Sequence, residues 1–173
     1  DVSHVDGAGR RPADADGLFD AIIAGGYPNV NDGVFGTFDD EVSSMAHDYS
    51  GEVVWITGGG TGIGRALALA YGERGARVAV SGRRLFKLES VVDELERRGT
   101  EGLAVQCDVT DEEQVESAVE EVVDAFGRLD VAIANAGFSV SGGITDLTAD
   151  DWRRQLDVNV VGVAITARHA LPH

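Results

Sequence analysis

From residue 53 onward the apolar residues fall into two alternating patterns. Short uninterrupted runs such as Val53-Val54-Trp55-Ile56 and Val78-Ala79-Val80 read as strands. Between them, apolar residues recur at helical spacing; Leu85, Leu88, Val91, Val92 and Leu95 share one face. The pattern predicts strands over 53–57, 77–81, 102–108 and 129–134. It predicts helices over 62–74, about 84–98, from Thr110 to Phe126, and from near Thr148 toward Leu171. Gly99 and Gly127 stand where a glycine ends a helix. Thr110 with Glu113 three positions on is a capping-box pattern, and Asp151 is placed to serve the first turn after Thr148. Regular strand-helix alternation implies a parallel sheet with right-handed crossovers.

Residues 1 to about 50 differ in character. Eleven acidic residues up to Asp48 and Glu52 face only Arg10 and Arg11. Gly25-Gly26, Pro28-Asn29 and Asn31-Asp32-Gly33 are turn signals, and Leu18 to Ile23 suffices for a turn or two of amphipathic helix. The expectation is a mostly irregular acidic leader over 1–50 and a domain over 51–173. Met45, the only methionine, stands a few residues before the first strand. The domain is therefore expected to begin natively near it, with residues 1–44 as an appended segment.

The segment Thr57-Gly58-Gly59-Gly60-Thr61-Gly62-Ile63-Gly64 joins the first strand to the first helix. Glycines permit positive φ and let the backbone approach a phosphate, while a helix N-terminus offers free N–H groups and its positive dipole end. A second strand arrives about twenty residues later, as a Rossmann half-fold requires. Strand, glycine-rich turn and helix together predict a dinucleotide-binding cradle rather than a plain tight connection.

Composition narrows the function further. With 173 residues and 43% hydrophobic content the chain supports one domain with a real core. A net charge of −16 repels phosphate backbones and argues against nucleic-acid partners. No apolar stretch has the length of a membrane span, so no membrane partner is expected, and the expected location is the cytoplasm. Lys87 is the only lysine against thirteen arginines, a bias that fits either a high-salt cytoplasm or a GC-rich genome. The lone Cys107 excludes an internal disulfide and a cysteine-based metal site, and reads as a buried, inert thiol. His4, His47, His169 and His173 show no metal-ligand spacing, so no metal is expected.

Four motifs in order, Thr57 to Gly64, Asp108-Val109, Asn135-Ala136-Gly137, and Asn159-Val160 with Gly162, resemble the short-chain dehydrogenase/reductase family over residues 50 to 173. The resemblance implies an α/β fold: a Rossmann-type doubly wound parallel sheet, partial, in strand order 3-2-1-4. It implies that Gly58, Gly60, Thr61, Gly62, Ile63 and Gly64 hold the pyrophosphate. It also implies that the Asp108 carboxylate accepts from the adenine amino group beside the Val109 backbone, and that Asn135, Ala136 and Gly137 line the cofactor and brace the sheet centre. The residue-level alternatives are a turn-capping Asp108 and a Thr57 that is only a strand-end hydroxyl. Gly82 occupies the place where NAD-using members carry an acid, and Arg83-Arg84 follow. The cofactor expected is therefore NADP, with NAD less favoured. Asn159, on the edge of an apolar face formed by Trp152, Leu156, Val160 and Val163, matches the catalytic asparagine, whose backbone carbonyl holds a water in a proton relay.

The family's chemistry also needs a tyrosine with a lysine four residues later, and a serine. Tyr27, Tyr49 and Tyr71 are the only tyrosines, and none has such a lysine. The sequence is thus expected to be the cofactor-binding half of an oxidoreductase acting on a small carbonyl or alcohol, inactive alone. Phe138-Ser139-Val140 and Gly142-Gly143-Ile144 would line one side of the substrate pocket. A homo-oligomer built on the fourth helix, or a complementing C-terminal half, is the expected partner. The alternatives are a non-catalytic dinucleotide-binding module and an assembly piece docked through the leader.

Overall fold

The computed structural model describes residues 48–173. The expectations for the leader, its amphipathic turn and a domain start near Met45 lie outside the described residues.

Four parallel strands alternate with helices in the predicted order. They are β1 (Val53–Thr57), α1 (Gly62–Gly72), β2 (Arg77–Gly82), α2 (Leu85–Arg97), β3 (Gly102–Gln106), α3 (Glu112–Phe126) and β4 (Val131–Ile133). Then come α4 (Ala149–Leu156), a π-type turn over Asp157–Val161, and α5 (Gly162–Ala170). The sheet order is β3-β2-β1-β4, as the family resemblance implies. Trp55 is registered between Ala79 of β2 and Ala132 of β4.

All five β1 residues are buried, because helices cover both faces of the sheet. Strand alternation sends Val53 and Trp55 to one face, against Val115, Val119, Val122 and Phe126 of α3. Val54 and Ile56 point to the other, against Ala68 and Leu69 of α1 and Leu88, Val91 and Leu95 of α2. The one polar atom of Trp55 is satisfied inside the core, where its indole N–H donates to Ser81 Oγ at 3.1 Å.

Several boundaries differ from expectation for local reasons. β4 has three ladder residues rather than six: Asp130 turns its carboxylate onto the Val53 N–H at 2.8 Å and so closes the start of β1 instead of extending β4. α3 is capped by Asp111, not Thr110. Asp108 Oδ1 engages both the Thr110 N–H and hydroxyl, so Asp111 is left to accept from the Gln114 N–H. Gly127 ends α3 with φ of 79° and donates to the Val123 carbonyl at 2.7 Å. The single fourth helix is two helices, α4 and α5, separated by a turn in which the Gly162 N–H donates to Asp157, five residues back. Gly162 is held closely at this point, since a Cβ there would lie 2.8 Å from Val109 Cγ2.

α4 opens with the expected capping box: the Thr148 hydroxyl accepts from the Asp151 N–H, and Asp151 Oδ2 accepts from the Thr148 N–H and hydroxyl. Thr148→Ala is expected to cost about 1 kcal/mol, read as a lower denaturation midpoint. The hydrogen bonds from Thr148, side chain first and backbone second, hold the Asp151 carboxyl below its ordinary range. A folded value below the unfolded one means that the cap contributes above about pH 4 and is lost as pH falls further. The stability gap between wild type and Thr148→Ala should therefore narrow in acid.

Candidate functional site

Where β1 ends, the chain enters the glycine-rich turn, and its geometry depends on the missing side chains. Gly58 has φ of +67°, and a Cβ there would stand 2.8 Å from Ala136 Cα. A Cβ at Gly64 would stand 2.4 Å from the Gly58 carbonyl oxygen and 2.6 Å from Asn135 Nδ2. Thr61, the residue before α1, has an extended backbone and no side-chain cap hydrogen bond, and no acidic residue occupies the first turn. The amides that open α1 therefore meet no side-chain acceptor from their own cap.

The ends of β1 and β4 are stapled together. Asn135 Nδ2 donates to the Thr57 carbonyl at 2.9 Å and the Gly58 carbonyl at 3.3 Å. The Ala136 N–H donates to Thr57 Oγ1 at 3.1 Å. The brace at the sheet centre expected of Asn135 is present, and the Thr57 hydroxyl is committed to it. Since β1 feeds α1 and β2 on one side and borders β4 on the other, this junction is the topological switch point of the sheet, where open α/β sheets form their clefts.

A cleft of about 610 Å³ lies there, over the C-terminal ends of the strands. Of the residues expected at the site, Gly58, Gly60, Thr61, Ile63, Gly64, Arg83, Arg84, Asp108, Val109, Asn135, Ala136 and Gly137 line it. Gly62 and Asn159 do not. Gly82, Lys87, Leu88, Cys107, Phe138 and Val158 line it as well. Lys87 had a readable signal, because four residues from Arg83 across the start of a helix puts both on one side. Val158 had none, because the chain reaches the cleft there only through the packing of distant elements.

Asp108 combines the expected site position with the alternative read from its residue type. It lines the cleft, yet Oδ1 is bound to the Thr110 N–H at 3.1 Å and hydroxyl at 2.8 Å. Asn159 uses both ends of its amide on one residue: Oδ1 accepts from the Phe138 N–H at 2.8 Å, and Nδ2 donates to the Phe138 carbonyl at 2.7 Å. Gln155 Oε1 accepts from the Val140 N–H at 3.1 Å, and the Arg154 guanidinium lies 5.1 Å from the Phe138 ring centroid. The loop after β4 is thus tied to α4 and the π-type turn. Cys107 is buried beneath the cleft, and burial, with help from Asp108 and Asp111, pushes its thiol up to about 11. It should resist alkylation at pH 8 in the folded protein and react fully in denaturant, as thiol titration would show.

Of the charged side chains that line the cleft, three are cations, Arg83, Arg84 and Lys87, and one is a carboxylate, Asp108. Among the described residues, Arg83, Arg84 and Lys87 have no carboxylate partner, whereas Arg65, Arg98, Arg128, Arg153 and Arg168 are all ion-paired.

Fold and cleft together define a Rossmann-type α/β domain. The short chain dehydrogenase family model matches residues 52–173, and the chain belongs to that family. It is 38% identical over 132 residues to a versicolorin reductase of Emericella nidulans, covering 76% of this chain and 50% of the relative. A short-chain type dehydrogenase/reductase from Mycobacterium marinum superposes with a TM-score of 0.70 at 39% identity, covering 72% of this chain and 51% of that one. A family member from Burkholderia phymatum, solved in complex with NAD, superposes with a TM-score of 0.70 at 32% identity, covering 73% and 45%. The chain spans about half the length of the curated relatives it matches.

Proposed function

We propose that residues 51–173 form the cofactor-binding half of an NADP-dependent oxidoreductase that passes a hydride between a nicotinamide and a carbonyl or secondary alcohol. The observation that carries this reading is the cradle at Gly58–Gly64. Two absent Cβ atoms keep backbone open beside an uncapped helix start, and an asparagine brace fixes that opening at the switch point of the sheet. These features fit a pyrophosphate, with Gly60, Thr61, Gly62, Ile63 and Gly64 as its seat. Asp108 and Val109 form the adenine end, and Asn135, Ala136 and Gly137 face the nicotinamide side. Ile63, 74% exposed, would be covered by the bound nucleotide.

When bound, the nicotinamide supplies the hydride donor or acceptor. The chain's own residues bind and orient it. Asn159 holds Phe138 through its side chain, which leaves its backbone carbonyl for the proton relay that the family pattern assigns to it. Asn159 lies within the π-type turn, where the Gly162 N–H donates to the Asp157 carbonyl five residues back. Residues 1–173 hold no tyrosine with a lysine four positions on, so the described domain by itself is not expected to turn over substrate.

NADP is favoured over NAD by Gly82, which offers no carboxylate to a ribose hydroxyl, and by the unpaired Arg83 and Arg84 beside it. The relative solved with NAD favours the second reading, in which this chain takes NAD. Calorimetric titration of the chain with each dinucleotide tests both: tighter NADP supports the first, tighter NAD the second, and no binding of either overturns the site.

Trp152, Leu156, Val160 and Val163 are 43%, 53%, 56% and 38% exposed, so the apolar face expected of the fourth helix is open. It supports assembly with a second copy or with the complementing half. The boundary near residue 50 is part of the same proposal, and limited proteolysis should release the leader while the rest stays folded.

A further inference from the structure

We propose that Lys87 is a third cationic ligand of the cofactor's 2′-phosphate, acting from α2 beside Arg83 and Arg84; this rests on the NADP reading above. Three observations place it there. First, Lys87 lines the same cleft as the two arginines, and its N–H bonds the Arg84 carbonyl at 3.0 Å, which fixes its backbone to theirs. Second, its stem starts against the glycine-rich turn: a Cβ on Gly60 would lie 3.1 Å from Lys87 Cβ. A nucleotide with its pyrophosphate on that turn and its adenine toward Asp108 must carry its ribose past this seam. Third, the ammonium is uncommitted. It rests 5.4 Å from the Phe86 ring centroid and, among the described residues, has no carboxylate partner, in a protein of net charge −16.

The chemistry suits a phosphomonoester. That group carries nearly two negative charges and three acceptor oxygens. Two planar guanidinium groups satisfy it from one side, and a mobile ammonium on a flexible stem reaches the oxygens they leave open. The Arg83 carbonyl is pinned by Gln106 Nε2 at 3.0 Å, so the arginine wall has a fixed base while Lys87 supplies the adjustable contact. The 2′-hydroxyl of NAD offers no such partner, so Lys87 should contribute to the choice of cofactor and not to nucleotide affinity in general.

The test uses the full chain and two probes, 2′,5′-ADP and 5′-AMP, which differ only in the 2′-phosphate. Lys87→Gln should weaken 2′,5′-ADP about tenfold and leave 5′-AMP within twofold, while Lys87→Arg retains the preference. Because Lys87 is the only lysine, reductive methylation followed by peptide mapping reads it directly. Protection by 2′,5′-ADP and none by 5′-AMP is the expected result. If wild type binds the two probes equally, the NADP reading fails and this assignment falls with it. If wild type prefers 2′,5′-ADP but Lys87→Gln keeps the full preference and Lys87 is methylated equally with either probe, the assignment of Lys87 alone is overturned.

Discussion

Gly64→Val should abolish dinucleotide binding and destabilise the fold together. The Cβ would be 2.4 Å from the Gly58 backbone carbonyl and 2.6 Å from the Asn135 side-chain amide, which is held by hydrogen bonds to the Thr57 and Gly58 carbonyls. Relief requires α1 to move off the turn or Asn135 to release Thr57 and Gly58, which undoes the staple between β1 and β4. Overpacking of this kind costs about 1–3 kcal/mol. The binding loss should be larger, at least a hundredfold, because the amides opening α1 and the turn would no longer share one curvature. Chemical denaturation reads the first effect and nucleotide titration the second. A Gly64→Val protein that binds NADP with unchanged affinity would show that the nucleotide does not use this turn.

The second large effect is a reversal of cofactor preference by Gly82→Asp. A side chain fits there, since a Cβ at Gly82 would meet only Leu88 Cδ2 at 3.7 Å and Gly58 Cα at 4.0 Å, ordinary contact distances. The new carboxylate would accept from a ribose 2′-hydroxyl and repel a 2′-phosphate. Arg83→Glu removes a cation from the same wall and should weaken NADP more than NAD. With both changes the ratio of NADP to NAD affinity should fall by about a hundredfold or more, close to 3 kcal/mol. Equal losses for both dinucleotides would mean that this wall does not touch the phosphate that distinguishes them.

How much of this was legible in the chain depends on how local each feature is. The β1 run, the glycines and the helix after them are consecutive, and their signals need no partner; that segment reads correctly from residues alone. The strand order and the Asn135 brace came from four motifs in sequence order and matched the structure. The Thr110 cap did not, because Asp108, two residues upstream, captures the hydroxyl that a local rule assigns to the helix. The π-type turn was invisible, since Asp157 to Val161 continue the helical pattern and nothing in their identity marks an added residue. Asn159 was placed at the apolar edge of a helix, but its hold on Phe138 joins residues 21 apart and requires the fold. Lys87 lies within reach of helical spacing from Arg83; what distance along the chain cannot show is that both line one cleft and that neither has a carboxylate partner among the described residues.

A crystal structure of the full chain grown with NADP tests most directly whether a diphosphate sits against the amides that open α1. It should show the pyrophosphate at Gly62–Gly64 and the 2′-phosphate between Arg83 and Lys87. A folded, NADP-saturated protein with that cleft empty would contradict it.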